Sequence, residues 1–143
     1  MKDLYVVIVG CGRLGSQLAN ALSRLGMGVV AIDSSDSAFS GLSRAYSGFR
    51  VEGDATEPAV LRAAKMDKAD LVIATTRDDN VNLMVAQTAR TLFSVPRVMA
   101  RVFDPKRERM YRALGIEPVC PTVLAVEAFM NIIRNQEDKA DAS

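Results

Sequence analysis

Three glycines near the start of the chain have the spacing G-x-G-x-x-G. They lie in the segment Gly10-Cys11-Gly12-Arg13-Leu14-Gly15, between an apolar run and a helical pattern. In this context the first glycine permits a tight turn, the second lets the backbone approach a pyrophosphate, and the third lets helix and strand pack closely. The N–H groups at the start of the helix would hold the anion. We call residues 10–15 the glycine turn and predict that it binds a nucleotide phosphate, the alternative being a tight turn without a ligand.

Two charged side chains could complete such a site. Arg13 lies beside the turn, where a guanidinium can neutralise phosphate charge, although a solvated arginine is the simpler alternative. Asp33 ends the next apolar run, where an acidic side chain accepts hydrogen bonds from a ribose diol and repels a 2′-phosphate. With Ser34 beside it, Asp33 could also cap a helix. These residues favour NAD(H), or an adenine nucleotide such as ATP, ADP or AMP, over NADP(H).

Polar residues also follow the third and fourth apolar runs, and parallel strands would bring both to one edge of a sheet. The candidates are Gly53, Asp54, Ala55, Thr75 and Thr76. The turn that contains Asp54 would lie near an adenine, although Asp54 or Thr56 could instead cap the next helix. The backbone and hydroxyls of the two threonines could reach the phosphates or a second nucleoside.

Apolar runs and helical patterns alternate along the chain. The expected strands cover residues 4–9, 28–32, 48–52, 71–74, 97–102 and 116–119. The first helix follows the glycine turn and stops at Gly26, and further helices are expected over residues 36–46, 58–65, 80–93 and 106–114. This alternation predicts an α/β fold of the Rossmann type, a doubly wound parallel six-stranded sheet with helices on both faces.

The last helical segment, residues 122–134, carries an apolar set that is too wide for a single packed stripe. We therefore expect it to bury a second face against another subunit. Residues 135–143 are polar and have no hydrophobic pattern, which favours a frayed tail or the start of a linker. The expected domain thus covers residues 1–134.

Composition excludes several classes of function. The 143 residues suffice for one domain, and the formal net charge of +1 gives no global field that favours nucleic acid. There is no histidine, which excludes imidazole catalysis and ligation, and Cys11 and Cys120 form no C-x-x-C pair that would suggest a zinc or redox site. No apolar run approaches the roughly 20 residues of a membrane span. Since Met1 leads almost directly into a strand without a signal peptide, we expect a cytosolic protein that is not inserted in the membrane.

Two other functions need features that the sequence supplies poorly. A small NAD-dependent oxidoreductase requires a proton donor or acceptor at the nicotinamide, yet no tyrosine has a lysine four positions later. A nucleic-acid surface could use the basic residues Arg97, Arg101, Lys106, Arg107, Arg109 and Arg112. Asp104 and Glu108 interrupt that cluster, which suits a solvated helix face or an oligomer contact equally well.

Five further motifs follow the glycine turn in order along the chain. They are Ala31-Ile32-Asp33, Gly53-Asp54-Ala55-Thr56, Ala69-Asp70-Leu71-Val72-Ile73-Ala74-Thr75, Asp79-Asn80-Val81-Asn82-Leu83 and Ala100-Arg101. Together with the turn they closely resemble the RCK N-terminal domain, or TrkA-N domain, of the cytosolic subunits of bacterial Trk and Ktr potassium uptake systems. The resemblance covers residues 4–134.

This resemblance implies a non-enzymatic regulatory subunit that binds NAD(H) or ATP/ADP/AMP and gates a membrane potassium channel or transporter. It implies that the glycine turn and Arg13 hold phosphates, that Asp33 binds ribose, and that the turn at Asp54 and Ala55 faces adenine. Arg101 would be a further phosphate contact. Such a subunit would be cytoplasmic, peripheral to the inner membrane through its channel partner, and would not bind nucleic acid.

The resemblance also implies a homodimer or a larger ring, which could include a second RCK subunit. Neighbouring subunits would pack through residues 80–93 and 106–114, and the last helix would cross to its partner. Many relatives carry a second, C-terminal RCK subdomain, whereas this sequence stops at Ser143. A truncated chain and a natural single-domain subunit both remain open at this point.

Overall fold

The computed structural model describes the backbone of residues 3–142 and the side chains of residues 3–140. Met1, on which the expectation of no signal peptide depends, lies outside the described residues, and so does Ser143. Within them six strands form one parallel sheet in the order β3-β2-β1-β4-β5-β6. The strands are β1 (Tyr5–Val9), β2 (Gly28–Asp33), β3 (Phe49–Glu52), β4 (Leu71–Ala74), β5 (Arg97–Arg101) and β6 (Glu117–Val119).

Five α-helices connect and follow these strands. They are α1 (Arg13–Arg24), α2 (Pro58–Ala63), α3 (Asp79–Thr91), α4 (Glu108–Ala113) and α5 (Pro121–Ala142). Buried residues of α2, α3 and α4 share one apolar cluster with one face of the sheet, whereas α1 packs on the opposite face, mainly on β1 and β2. The prediction of a doubly wound, six-stranded parallel sheet with helices on both faces is therefore confirmed.

The central strands are apolar on both sides because both of their faces are covered. Val6, Val7 and Ile8 have no exposed surface, and successive residues contribute to opposite clusters. The strand order reverses between β1 and β4, so the crevice between their carboxyl ends is the topological switch point where ligands of such sheets bind. The glycine turn leaves β1 at this crevice.

The prediction of an α-helix over residues 36–46 is wrong. The structure has only a 3-10 helix over Asp36–Gly41, followed by turns. This stretch is rich in serine, whose hydroxyl competes for backbone hydrogen bonds and disfavours a continuous α-helix. The helix expected over residues 106–114 likewise begins as a 3-10 turn, Pro105–Arg107, before α4. Other element ends match the predictions or differ from them by one or two residues, as fraying and capping commonly cause.

The segment after residue 134 also differs from expectation. In place of a frayed tail, α5 continues to Ala142 as a helix of 22 residues. Alanine, glutamate, glutamine and lysine are good helix formers, so a polar composition here does not interrupt the helix. No helix within residues 3–142 is both long enough and apolar enough to cross a bilayer.

Candidate nucleotide-binding site

The glycine turn is held tightly between β1, β2 and β4. Gly10 has a φ of +98°, which favours glycine, and a Cβ there would lie 2.9 Å from the backbone nitrogen of Thr76. A Cβ on Gly15 would lie only 1.8 Å from the carbonyl oxygen of Gly10. Gly10 is therefore required by the close approach of the backbone that follows β4, and Gly15 by the close approach of helix α1 to the turn.

Gly12 has a different role, because it faces open space. An added Cβ at Gly12 would meet no atom of residues 3–142 within 4 Å. Gly12 is the N-cap of α1, none of the described side chains caps it, and the first backbone bond there runs from the Ser16 N–H to the Gly12 carbonyl at 2.9 Å. The earlier N–H groups of the helix therefore remain available to an anion. Arg13, exposed at the first helical position, adds a positive charge beside them.

Asp33 lies at the end of β2, and both of its carboxylate oxygens contact the backbone. Oδ2 accepts a hydrogen bond from the Cys11 N–H at 2.8 Å, and Oδ1 accepts one from the Ser35 N–H at 2.9 Å. The carboxylate thus joins the end of β2 to the glycine turn. Because a carboxylate has about four acceptor positions, lone pairs remain for a ribose diol. Ser34, next to Asp33, is exposed at the same edge.

The thiol of Cys11 is buried beneath the turn, with 1% of the residue exposed. Burial and the negative charge of Asp33 raise the pKa of Cys11 to about 11, against a smaller opposing effect of Arg50. The thiol is therefore protonated and unreactive near neutral pH. Its backbone N–H, which bonds Asp33, is the part of Cys11 that contributes to the site.

The turn after β3 stands next to Asp33. The Gly53 N–H donates to the Asp33 carbonyl at 2.9 Å, and Ala55 is partly buried against the core. Asp54 does not cap α2, whose N-cap is Glu57; its Oδ1 accepts from the Thr56 N–H and hydroxyl. These bonds lower the pKa of the exposed Asp54 carboxyl. The turn is thus an ordered polar feature at the same edge of the sheet.

The two threonines after β4 are both engaged with their neighbours. The buried Thr75 hydroxyl lies 3.0 Å from the Gly10 carbonyl and 3.2 Å from that of Val9, and it donates towards them. The Thr76 hydroxyl donates a hydrogen bond to Oδ1 of Asn82 at 2.6 Å. The Thr75 N–H donates to the Val9 carbonyl, and the Thr76 N–H and carbonyl are both bonded to Asn82, so the polar groups of this pair mainly brace the strand ends.

Arg101 ends β5 with an incompletely satisfied side chain. Its Nε is buried and has no hydrogen-bond partner within residues 3–142. Its guanidinium carbon lies 4.2 Å from the centroid of the Phe103 ring, a cation–π distance. A buried donor without a partner is costly, and an anionic ligand would satisfy it.

Asn82 is a site-supporting residue that the sequence reasoning did not identify. It is fully buried on the inner side of α3 and bonds the backbone of both Thr76 and Arg101. A polar residue in the same helical stripe as the buried Val85, Ala86 and Ala89 was the available signal, because a buried amide requires specific partners.

None of the three tyrosine hydroxyls is free to act as an acid. Tyr5 donates to the Ala64 carbonyl, Tyr111 to that of Asp79, and the Tyr46 hydroxyl lies within bonding distance of the carbonyls of Val29 and Phe49. Burial raises the pKa of each, that of Tyr46 to about 12. Since the chain also has no histidine, neither of these two residue types offers a free proton donor for hydride chemistry within residues 3–142.

Three of the six residues in the basic cluster considered as a nucleic-acid surface form ion pairs within the chain. Arg97 pairs with Glu117, Arg112 with Glu108, and Arg107 lies 3.9 Å from Asp79. These contacts favour the interpretation of the cluster as a salt-bridged helix and strand surface.

Comparison with known proteins decides the family. The TrkA-N domain matches residues 6–121, most of the chain and all of the elements that build the site. The chain belongs to the TrkA-N domain family. The resemblance drawn from the six motifs is therefore confirmed.

A curated relative gives the family its biological context. This TrkA-N domain is 40% identical over 123 residues to the Trk system potassium uptake protein TrkA of Streptomyces coelicolor. The match covers 86% of this chain and 53% of the relative. The chain thus spans about half the length of the curated relatives that it matches.

Solved structures of the GsuK channel share the fold. The GsuK channel with NAD bound is 28% identical, with a TM-score of 0.82, and the match covers 96% of this chain and 24% of that one. GsuK bound to ADP is 28% identical, with a TM-score of 0.80, covering 94% of this chain and 35% of the other. Both an NAD and an ADP complex are therefore known among structures similar to this TrkA-N domain.

Proposed function

We propose that this TrkA-N domain is the nucleotide sensor of a cytosolic regulatory subunit in a potassium uptake system. It binds NAD(H), or ATP, ADP or AMP, at the glycine turn and does not catalyse a reaction. The observation that carries the proposal is the open helix N-terminus at Gly12 with the Asp33 carboxylate beside it. The relationship to TrkA and to the NAD- and ADP-bound GsuK structures supports it.

The residues present fit such a ligand from end to end. The phosphates lie against the N–H groups of α1, with Arg13 and the unpaired Nε of Arg101 as cations. The ribose bonds the remaining lone pairs of Asp33, next to Ser34. The adenine lies towards Gly53, Asp54 and Ala55, which the Asp33 carbonyl holds in place. The carboxylate disfavours the 2′-phosphate of NADP(H).

A purely regulatory role agrees with the chemistry that the chain offers. An NAD-dependent oxidoreductase needs a group that gives or takes a proton near the nicotinamide. The three tyrosine hydroxyls donate to backbone carbonyls, and the buried Cys11 thiol has a raised pKa, so these groups do not supply that proton transfer. Binding without turnover is the function that this set of residues supports.

A second copy of this chain is the partner that helix α5 requires. Phe129 and Ile132 on α5 are 68% and 59% exposed, and every residue of the helix from 124 to 139 is exposed. Leu71, Ile73 and Met99 are only partly buried on the sheet face where α1 covers β1 and β2. Two copies that exchange α5 would cover both surfaces, as a homodimer or within a ring that could include a second RCK subunit.

The remaining partner is a membrane potassium channel or transporter subunit. We propose that the regulatory subunit stays in the cytoplasm and lies at the inner membrane only through this partner. The assembly has two conformational states, and nucleotide binding favours one of them because the ligand contacts the two states differently. This shift between states changes the conductance of the partner.

Calorimetric titration with NAD, NADH, ATP, ADP and AMP tests the binding function, with NADH absorbance followed in parallel. We expect selective binding of at least one nucleotide and no loss of NADH absorbance with small carbonyl compounds. Absence of binding to all five ligands would contradict the sensor, and turnover would establish the oxidoreductase instead. Potassium flux in vesicles that contain the partner channel subunit, with and without the bound nucleotide, then tests gating.

A further inference from the structure

The amide of Asn82 uses all of its hydrogen-bonding capacity while fully buried. Its Oδ1 accepts from the Thr76 N–H at 2.8 Å and from the Thr76 hydroxyl at 2.6 Å. Its Nδ2 donates to the Thr76 carbonyl at 3.0 Å and to the Arg101 carbonyl at 3.1 Å. Only this orientation of the amide satisfies every partner, since an amide oxygen accepts and an amide nitrogen donates.

These bonds bridge the ends of two neighbouring strands. The pairing of β4 with β5 ends at Ala74 and Ala100. Just beyond that last pair, the Asn82 side chain bonds the backbone of Thr76 on one side and of Arg101 on the other. The amide thus continues the hydrogen bonding of the sheet by one step, at the edge where the candidate site lies.

Both residues held by Asn82 adjoin the candidate phosphate site. The Thr75–Thr76 peptide is packed so closely on Gly10 that a Cβ there would lie 2.9 Å from the Thr76 nitrogen. Arg101 carries the buried Nε that has no partner within residues 3–142. One side of the amide therefore supports the glycine turn, and the other supports the backbone that carries a cation.

We propose that Asn82 is a positioning residue of the nucleotide site. Its amide sets the separation between the glycine turn and the Arg101 backbone. At that separation, one phosphate group contacts both the turn and the side chain of Arg101. This inference rests on the nucleotide binding proposed above. A fully satisfied buried network has one well-defined arrangement, and loss of the amide releases both strand ends together.

The test compares Asn82→Ala with the matched variant Asn20→Ala. Asn20 is also a buried helical asparagine, and its amide bonds the Gly41 carbonyl at 3.1 Å and the Ser43 N–H at 2.9 Å. The measurements are the Tm and the calorimetric Kd for ADP and for NAD. We expect both variants to lower the Tm, but only Asn82→Ala to weaken binding, by roughly tenfold, which corresponds to about 1.4 kcal/mol.

The outcomes separate this inference from the proposed function. Wild-type protein that binds neither ADP nor NAD would overturn both. Wild-type binding with an unchanged Kd in folded Asn82→Ala, or an equal loss in Asn20→Ala, would overturn the positioning role alone. An equal loss would mean that Asn82 acts only through general stability.

Amide hydrogen exchange in the wild-type protein covers the case in which Asn82→Ala does not fold. The Thr76 N–H is bonded to Asn82 Oδ1, and the Ser43 N–H is bonded in the same way to Asn20 Oδ1. ADP should slow exchange at Thr76 by at least about tenfold and leave Ser43 unchanged, since binding removes the local opening at the strand ends. Unchanged exchange at Thr76 under saturating ADP would contradict the proposal.

Discussion

At the scale of single residues, the candidate site depends on side chains that serve the fold and the ligand together. The Asp33 carboxylate holds the Cys11 N–H of the glycine turn and the Ser35 N–H after β2. Its remaining lone pairs are what a ribose would bond. A substitution at Asp33 should therefore affect the stability of the turn as well as the affinity for nucleotide.

Asp33→Ala should weaken the binding of NAD and of adenosine phosphates by roughly ten- to hundredfold. Hydrogen bonds to a charged acceptor contribute about 1.5–3 kcal/mol, and the variant loses the ribose acceptor. The free energy of unfolding should also fall, by about 1–3 kcal/mol, because the Cys11 N–H loses its partner. Calorimetry and urea unfolding measure the two effects.

Asp67→Ala is the matched control for that variant. Asp67 is an exposed aspartate in the 3-10 turn that precedes β4, at the edge of the sheet opposite to the candidate site. Its loss should leave both the affinity and the stability close to those of the wild type. Equal affinities in Asp33→Ala and in Asp67→Ala would remove Asp33 from the site.

The raised pKa of Cys11 predicts a stability change at alkaline pH. The unfolded chain loses the thiol proton near a pKa of 9.0, whereas the folded chain keeps it until about 11. Between these values the folded state binds more protons, so the free energy of unfolding falls as the pH rises. Urea unfolding of wild type and of Cys11→Ala from pH 8 to pH 11 measures this contribution.

The variant supplies the control in that experiment, because other groups titrate in the same range. The difference in unfolding free energy between wild type and Cys11→Ala should change in the direction that disfavours the wild type as the pH rises. A difference that stays constant across the range would contradict the shifted pKa of Cys11.

At the scale of elements, buried strands were more readily predicted than the polar connections. Continuous apolar runs such as residues 5–9 require cover on both faces, and that requirement led to the parallel sheet. The α-helix predicted for the serine-rich residues 36–46 does not form, because the polar side chains and Gly41 favour turns. Helical propensity in the last polar stretch was underestimated for the opposite reason, since alanine, glutamate, glutamine and lysine there are good helix formers.

Residues of the candidate site could be predicted from the sequence where the backbone conformation allows only one residue type. The partners of a polar side chain were harder to predict, because several partners are possible. The spacing of Gly10, Gly12 and Gly15 indicated the turn directly. The contacts of Asn82 depend on how far β4 and β5 extend and on the turn of α3, and local sequence does not specify these distances. The Thr75 hydroxyl was expected to be available, yet its bonds to the end of β1 form only in the folded sheet.

Two glycine substitutions in the same turn should separate ligand binding from folding. Gly12→Val places its side chain in open space, so stability should fall by about 1 kcal/mol or less while nucleotide affinity is lost. Gly15→Ala forces a methyl group into the Gly10 carbonyl, which should destabilise the fold by about 1–3 kcal/mol or more. Thermal unfolding and calorimetric titration of both variants check the contrast.

The opposite pattern would contradict the roles assigned to these glycines. A Gly12→Val protein that retains full affinity would mean that no phosphate approaches the backbone at that position. A Gly15→Ala protein with wild-type stability would mean that α1 does not pack on the strand ends as closely as the structure has it.

At the scale of the whole molecule, the domain leaves two apolar surfaces incompletely covered. One is the outward side of α5, with Leu124, Phe129 and Ile132 more than half exposed. The other is the sheet face beyond α1, where Ile73 and Met99 are partly buried. A helix with this much exposed apolar surface is prone to association, which supports the exchange of α5 between two copies proposed above.

Phe129→Asp should convert the protein to a monomer. A charge on the apolar side of α5 cannot be buried in an interface without a large desolvation cost. Light scattering coupled to size exclusion should give the chain mass of 15.5 kDa for the variant and a multiple of it for the wild type. Gln136→Asp, a charge on the exposed polar part of the same helix, should leave the assembly intact. A monomeric wild type would contradict the exchange of α5.

The most direct test of the account is an amide NMR titration of isotope-labelled protein with NAD and with ADP. We expect the largest shifts at Gly12, Arg13 and Gly15, then at Asp33 and Arg101, because these residues surround the crevice at the carboxyl ends of the strands. Gly28, at the amino end of β2, should not shift. Saturable shifts confined to the crevice would establish the site, and shifts elsewhere, or none at all, would contradict the assignment of this domain as a nucleotide sensor.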